Sequence, residues 1–336
     1  MNKNWHLPRE ATAILFVIAL FLGIGIINPM FLSVQNILLC FNSSVIYTVV
    51  AIGIAFVIIS GEIDVSVGAT LGMTAAVCGT FVRDGNAGMG IVAAVSVGLM
   101  IGVVNGFGVT VLRIPSIIMT LGMFGIVRGL IYVYTDGKWI ENIPIAYKAF
   151  AQAKAIGGLT WFYLVALLMM ATAHLIMTTT HRGRYFIAVG DNAGGATLLG
   201  IPVAGTKMAA FVLCSAAASI GGILYVSRVG FITPIAGTGY EMKVIAACVL
   251  GGISLTGGVG SLIGATVGAA IMASISRILV FLGFPSDYDN TITGILLIVI
   301  VVADSLLQSR SAEKLRKERL AARTNGMATS SGEAVR

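Results

Sequence analysis

An all-α integral membrane protein, a bundle of about ten transmembrane helices with glycine-interrupted segments, is the fold class this sequence predicts. Three observations predict it. The 336-residue chain is 57% hydrophobic and 10% charged, where a soluble domain carries roughly 25% charged residues. Its apolar residues arrive in runs of about 18 to 24, long enough for a helix to cross a hydrocarbon core of about 30 Å and too long for barrel strands of about 10 residues. Its small residues recur four apart within those runs, at Gly98, Gly102 and Gly106, at Gly125 and Gly129, and at Gly260, Gly264 and Gly268. In lipid, such stripes let helix backbones approach, either within the chain or at a dimer seam.

The elements follow in order. Lys3 and Arg9 precede a first span at residues 11–27, which has no signal-peptide cleavage site and so stays as a helix behind a cytoplasmic N-terminus of residues 1–10. A second span covers 37–59. Residues 60–68 then place two carboxylates, Glu62 and Asp64, between two glycines and lead into a third span ending near Val82. Residues 83–86 form a turn before a fourth span at 88–112. Arg113-Ile114-Pro115 breaks the chain ahead of a fifth, 116–134. Residues 135–160 form a longer non-spanning segment in which Trp139 reads as an interface anchor, and a sixth span covers 161–180. Beyond Lys207 a seventh span reaches Arg228. An eighth at 241–255, a ninth at 259–282 and a tenth at 291–307 complete the permeation-sized domain of residues 11–308. The tail, 309–336, carries six basic residues between Arg310 and Arg323 and is expected to lie as a basic helix on the lipid surface.

Ten spans put both termini on one side. Taking that side as cytoplasmic places 13 of the 21 Lys and Arg residues inside, the sign that topology rules require. The net charge of +7 is therefore a topology signal; without interleaved aromatics it points to no nucleic acid. Four scattered cysteines and three scattered histidines form no ligand spacing, so neither a disulfide, a metal site nor a cofactor is expected.

One polar stretch stands out. Residues 181–207 carry Arg182, Arg184 and Lys207, with a helix start at Asp191-Asn192 and a stop at Gly200, followed by Pro202. The helix between them holds Gly194 and Gly195, each costing about 1 kcal/mol against alanine, so it should not persist without something pressed against it. Ala193, Ala196 and Thr197 offer the small-residue surface a partner's groove needs, against the plainer reading of an ordinary loop. Residues 200–207 miss a phosphate-binding loop, because Thr206 separates the second glycine from Lys207. Any nucleotide energy must come from another chain.

Carboxylates at the border of an apolar run are costly and usually face a cavity or a partner. Asp64 and Ser66 read either as a cap for the third span or as lining of a permeation path, with Glu62, Asn105 and Thr120 as further path residues. Arg128 is expected to snorkel to the surface. Residues 61–66 also find a weak echo at 252–257, and paired glycine-interrupted segments point to a substrate route in transporters. No nucleophile, acid–base pair or cofactor loop exists for an enzyme.

With these residues in view, the chain resembles the permease subunits of ABC importers for monosaccharides, of the ribose, rhamnose and autoinducer-2 type. SGEIDVSVG at 60–68 is similar to the family's S/T-G-G-I-D-L-S-V-G segment, and RYFIAVGDNAGGATLLG at 184–200 to its cytoplasmic R-x-x-x-A-x-G-x-N-x-x-A-A-x-L-x-G loop. Residues 112–116 with 120–122, and VLGGISLTGGVGSLIG at 249–264, are also family-like, so the similarity covers about residues 11–308. Residues 135–144 resemble the autoinducer-2 type, in which two non-identical permeases pair. The resemblance implies an inner-membrane permease with a second permease subunit, identical or related, two cytoplasmic ATP-binding subunits and a periplasmic sugar-binding protein. It implies an ATPase contact at Arg184, Asn192, Ala196, Leu199 and Gly200, beside Asp191, and a place for Asp64 and Ser66 near the path. Glu62 departs from the family's glycine and Gly195 from its alanine. A branched-chain amino acid permease of the same kind and a self-sufficient secondary transporter are the alternatives.

Overall fold

The computed structural model describes residues 9–285, 288–299 and 301–302. The expected tail of 309–336 and most of the N-terminus of 1–10 lie outside the described residues. What is described is helical: α1 (Arg9–Ile27), α2 (Val34–Ser43), α3 (Val45–Ile59), α4 (Val67–Arg83), α5 (Ala87–Thr110), α6 (Ser116–Thr135), α7 (Ile145–Gln152) and α8 (Trp161–Thr179). There follow α9 (His181–Asp191), α10 (Ala193–Leu198), α11 (Val203–Val229), α12 (Tyr240–Leu250), α13 (Leu262–Phe281) and α14 (Tyr288–Val299). Side chains start several of them, Ser33 at α2, Thr160 at α8 and Ser261 at α13 each accepting a hydrogen bond from a first-turn N–H.

Among the described residues five helices are long and apolar enough to cross a membrane, six if α2 and α3, bent by 44°, count as one span. The chain is an all-α membrane protein. The expected span at 241–255 appears as a shorter helix, α12 stopping at Leu250; of the expected span at 291–307 the described residues are helical, and 300 and 303–307 lie outside the described residues.

The core forms around α11 and α3. Along α3 every residue but Tyr47 is buried, and α11 packs against α3, α4 and α5. Small residues set these distances, as lipid leaves packing to drive helix association. A Cβ added at Gly98 or Gly102 of α5 would collide with Ser219 or with Ser215 and the Phe211 carbonyl of α11. Gly264 and Gly268 of α13 likewise press on the Gly251 and Ala247 carbonyls. Two of the three stripes are thus used inside the chain. Gly125 and Gly129 of α6 instead have nothing within 4 Å, on a helix that exposes Ile118, Ile126 and Val133.

Two ends of the bundle can be told apart. At one, the 60–66 connection meets α9 and residues 256–258, with Gly258 N–H bonded to the Ile59 carbonyl at 2.9 Å. At the other, Ile140 pairs with Ile232 and the Arg228 guanidinium donates to the Asn42 carbonyl.

Candidate functional site

The 60–66 connection turns its polar groups inward. Asp64, Ser66, Asn105 and Thr120 are all fully buried. Asp64 Oδ1 accepts from the Ser66 N–H at 2.8 Å and from the Ser66 hydroxyl at 2.6 Å, and Asn105 Nδ2 donates to Ser66 Oγ at 2.8 Å. Thr120 Oγ1 accepts from Val65 N–H at 3.1 Å, while Ser116 Oγ takes Ile63 N–H at 3.3 Å. The start of α6 therefore holds the connection whose own side chains reach α5. The Cys214 thiol of α11 stands against the Asp64 carboxylate, and Asn105 Oδ1 has no hydrogen-bond partner among the described residues. The capping alternative takes a different form from the one expected. Ser66 is the residue before α4 and makes no side-chain cap, because its hydroxyl is committed to Asp64.

Glu62 does not join this group. It pairs with Lys207 in the first turns of α11, the acid side chain 14% and the lysine 22% exposed. The residue that departs from the family pattern is thus matched by a cation 145 positions away. The echo of 61–66 at 252–257 is physical as well: a Cβ on Gly257 would lie 2.8 Å from Gly61 Cα, so the two glycine breaks abut. Gly190 of α9 closes the same junction, its Cβ position 1.8 Å from the Ile59 carbonyl oxygen.

On the other side of α4, residues 230–239 run as non-helical chain into the bundle before α12 begins. Gly68 and Gly72 make room for it: a Cβ at Gly68 would sit 2.0 Å from Glu241 Oε2, and one at Gly72 2.2 Å from the Ala236 carbonyl oxygen. Irregular backbone at membrane depth needs its polar groups satisfied by protein. Arg128 does so, donating to the Ala236 carbonyl at 2.7 Å. The expectation that Arg128 snorkels outward is corrected: the carbonyls exposed by the broken helix draw it inward.

The 181–207 stretch is more than one short helix in a loop. Thr180 caps α9 through Gly183 N–H at 2.9 Å, and Gly183, Phe186 and Val189 form a buried face whose Phe186 ring meets Phe56 of α3 edge-on at 5.0 Å. Arg184 turns back to the Thr178 and Thr179 carbonyls that end α8. Asn192, as the sequence predicts, caps α10 through Gly195 N–H at 2.9 Å, and Gly200 ends it with φ +77°. The surface α10 presents differs from the expected one. Ala196 is 3% exposed and faces the protein, whereas Leu198 and Leu199 are 91% and 81% exposed. Asp191, Asn192, Thr197 and Gly200 are exposed around them.

Sequence reasoning missed α9, Gly190 and the partner of Glu62. The spacing of Gly183, Phe186 and Val189, three apart, was a signal for α9; the other two are contacts between distant segments.

A family model described as branched-chain amino acid transport system / permease component matches residues 36–301. The chain belongs to this permease family. Among its relatives, the chain is 41% identical over 319 residues to the autoinducer 2 import system permease protein LsrC of Salmonella typhi, covering 93% of this chain and 90% of that protein. It is 40% identical over 319 residues to LsrC of Yersinia pseudotuberculosis, covering 93% and 89% of the two chains, and 38% identical over 316 residues to LsrC of Escherichia coli, covering 93% and 92%. No solved structure matches this permease.

Proposed function

We propose that this permease is the transmembrane subunit of an ABC importer that carries autoinducer-2 or a related sugar-like molecule across the bacterial inner membrane. It does no chemistry of its own. Cytoplasmic ATP-binding subunits drive it, a periplasmic sugar-binding protein delivers the substrate, and a second permease subunit, identical or related, completes the pathway. The observation that carries this reading is α10: a capped helix, braced on α3 through α9, that holds two leucines almost entirely in solvent. Such residues at a polar face are the mark of a docking surface. Arg184, Asp191, Asn192 and Ala196 position that helix, and Leu199 and Gly200 meet the ATPase. The relatives' names support autoinducer-2 as substrate; the description of the family model supports branched-chain amino acids as the second reading.

The buried group of Asp64, Ser66, Asn105 and Thr120 forms the wall of the pathway beside the glycine junction, and Glu62 ties that wall to α11. In this reading ten spans cross the membrane: α1, the α2–α3 pair, α4, α5, α6, α8, α11, α12, α13 and α14, with both termini cytoplasmic. The convergence of 60–66, α9 and 256–258 at one end, and of Asn42, Arg228, Ile140 and Ile232 at the other, supports that parity. The test is uptake of autoinducer-2 into proteoliposomes holding permease, ATP-binding subunits and binding protein. Uptake that requires all three and ATP is expected. Uptake by the permease alone, driven by an ion gradient, would favour a secondary transporter and sink the proposal.

A further inference from the structure

Where residues 230–239 deliver the chain to α12, an aromatic and charged cluster lies inside the bundle that neither the pathway wall nor the docking helix uses. Tyr47 of α3 stacks on Tyr240 of α12 with ring centroids 4.7 Å apart and planes within 10°, and Tyr225 of α11 meets Tyr240 edge-on at 6.2 Å. The Lys243 ammonium lies 5.8 Å from the Tyr47 ring and pairs with Asp289 of α14, both side chains at most 14% exposed. Ser276 of α13 donates to the same Asp289 oxygen at 2.7 Å. Among the described residues the other carboxylate oxygen, Oδ1, has no hydrogen-bond partner, nor does the hydroxyl of Thr293 one turn further along α14.

A buried ion pair is weak support for stability, since apolar side chains of the same volume commonly do as well. Ionisable groups held at membrane depth instead tend to mark a substrate route. The cluster lies where the glycine-rich, non-helical chain of 230–239 enters the bundle, and glycine-interrupted segments line the binding sites of many transporters. Thr238, Arg228, Tyr288 and Asn290 are exposed beside the cluster, at the end of the bundle opposite α10.

We infer that the outer end of α12 is a binding site for a polyhydroxylated, sugar-like ligand, with Tyr47 and Tyr240 as stacking platforms and Asp289 as hydroxyl acceptor. The inference rests on the importer reading and locates its substrate contact. Ligand C–H faces stack on a tyrosine ring, and a ligand hydroxyl donates to Asp289 Oδ1, the acceptor the protein leaves unmet. In the present conformation Tyr47 fills the platform above Tyr240 and closes the site, so binding requires the two rings to part.

The test uses the complete importer in proteoliposomes with autoinducer-2 and D-ribose as probes. Asp289→Asn and Tyr240→Ala are expected to lower autoinducer-2 uptake about tenfold, the scale of one lost charged hydrogen bond, and to change the ratio between the two probes. ATP hydrolysis without binding protein should stay at the wild-type rate. Should Asp289→Asn fail to fold, Tyr47→Leu and Tyr240→Leu remove the aromatic faces while keeping apolar volume, and a shifted probe ratio in either supports the site. Wild-type uptake and an unchanged ratio in the folded variants overturn it, as does an equal loss of both probes together with ATP hydrolysis. Uptake of neither probe by the wild-type complex overturns the importer reading itself.

Discussion

Two polar interruptions of this apolar chain, residues 60–66 and 181–207, look alike as sequence and behave oppositely as structure. Each breaks a membrane-length pattern with glycine and acidic residues. The first folds its polar side chains into the bundle until Asp64, Ser66, Asn105 and Thr120 are fully buried. The second keeps Asp191, Asn192 and Thr197 out, seats one face of α9 on α3 and leaves Leu198 and Leu199 in solvent. The difference lies in what the breaks must satisfy. A buried polar group requires an internal partner, and the first break supplies one for nearly every group it brings inside. An exposed leucine has no such requirement, and what it lacks is an apolar surface to cover it. One break thus serves the interior of this protein and the other, in the proposed function, serves a partner.

Mutations can sharpen or break that contrast. The largest expected effect is on transport. The double substitution Leu198→Asp with Leu199→Asp should reduce ATP-driven uptake about 100-fold, as loss of an interface hot spot does, with little change in the thermal midpoint in detergent, since both side chains stand in solvent. Retained uptake would remove α10 from the coupling route. Next, Asp64→Ala orphans the buried Ser66 N–H and hydroxyl donors and should destabilise the folded protein by about 2 to 3 kcal/mol, read as a lower unfolding midpoint in nanodiscs. A midpoint equal to wild type would mean the network contributes nothing to the fold.

Smaller, Gly72→Ala forces a Cβ onto the Ala236 carbonyl and should cost about 1 to 3 kcal/mol, whereas Gly125→Ala, placed in open space, should be neutral or slightly stabilising by the same assay. Equal effects would contradict the packing assigned to α4. The smallest is Glu62→Gln, which breaks a partly buried ion pair worth about 1 kcal/mol; the swap of Glu62→Lys with Lys207→Glu should recover part of the loss, the coupling a double-mutant cycle measures.

Local signals were legible in the sequence wherever one segment decided its own structure. Asn192 and Gly200 bound α10 as their capping chemistry requires, and the apolar runs of α5, α6, α8 and α11 became helices of spanning length. Composition hid α9, since its polar residues outnumber the buried Gly183, Phe186 and Val189. The surface of α10 was misjudged because small residues serve inward packing as well as outward docking, and only the fold shows that Ala196 turns inward. Glu62 with Lys207, and Tyr47 with Tyr240 and Asp289, join residues far apart in the chain. No local pattern announces such pairs, and the site they build became visible only with α3, α11, α12 and α14 in place.

The contrast between the two breaks can be read directly by placing a photo-crosslinking residue at position 199 and, separately, at position 196 in the assembled importer. The account predicts a crosslink from 199 to the ATP-binding subunit and none from 196, whose side chain is turned into the permease. A crosslink from 196 with none from 199 would contradict it.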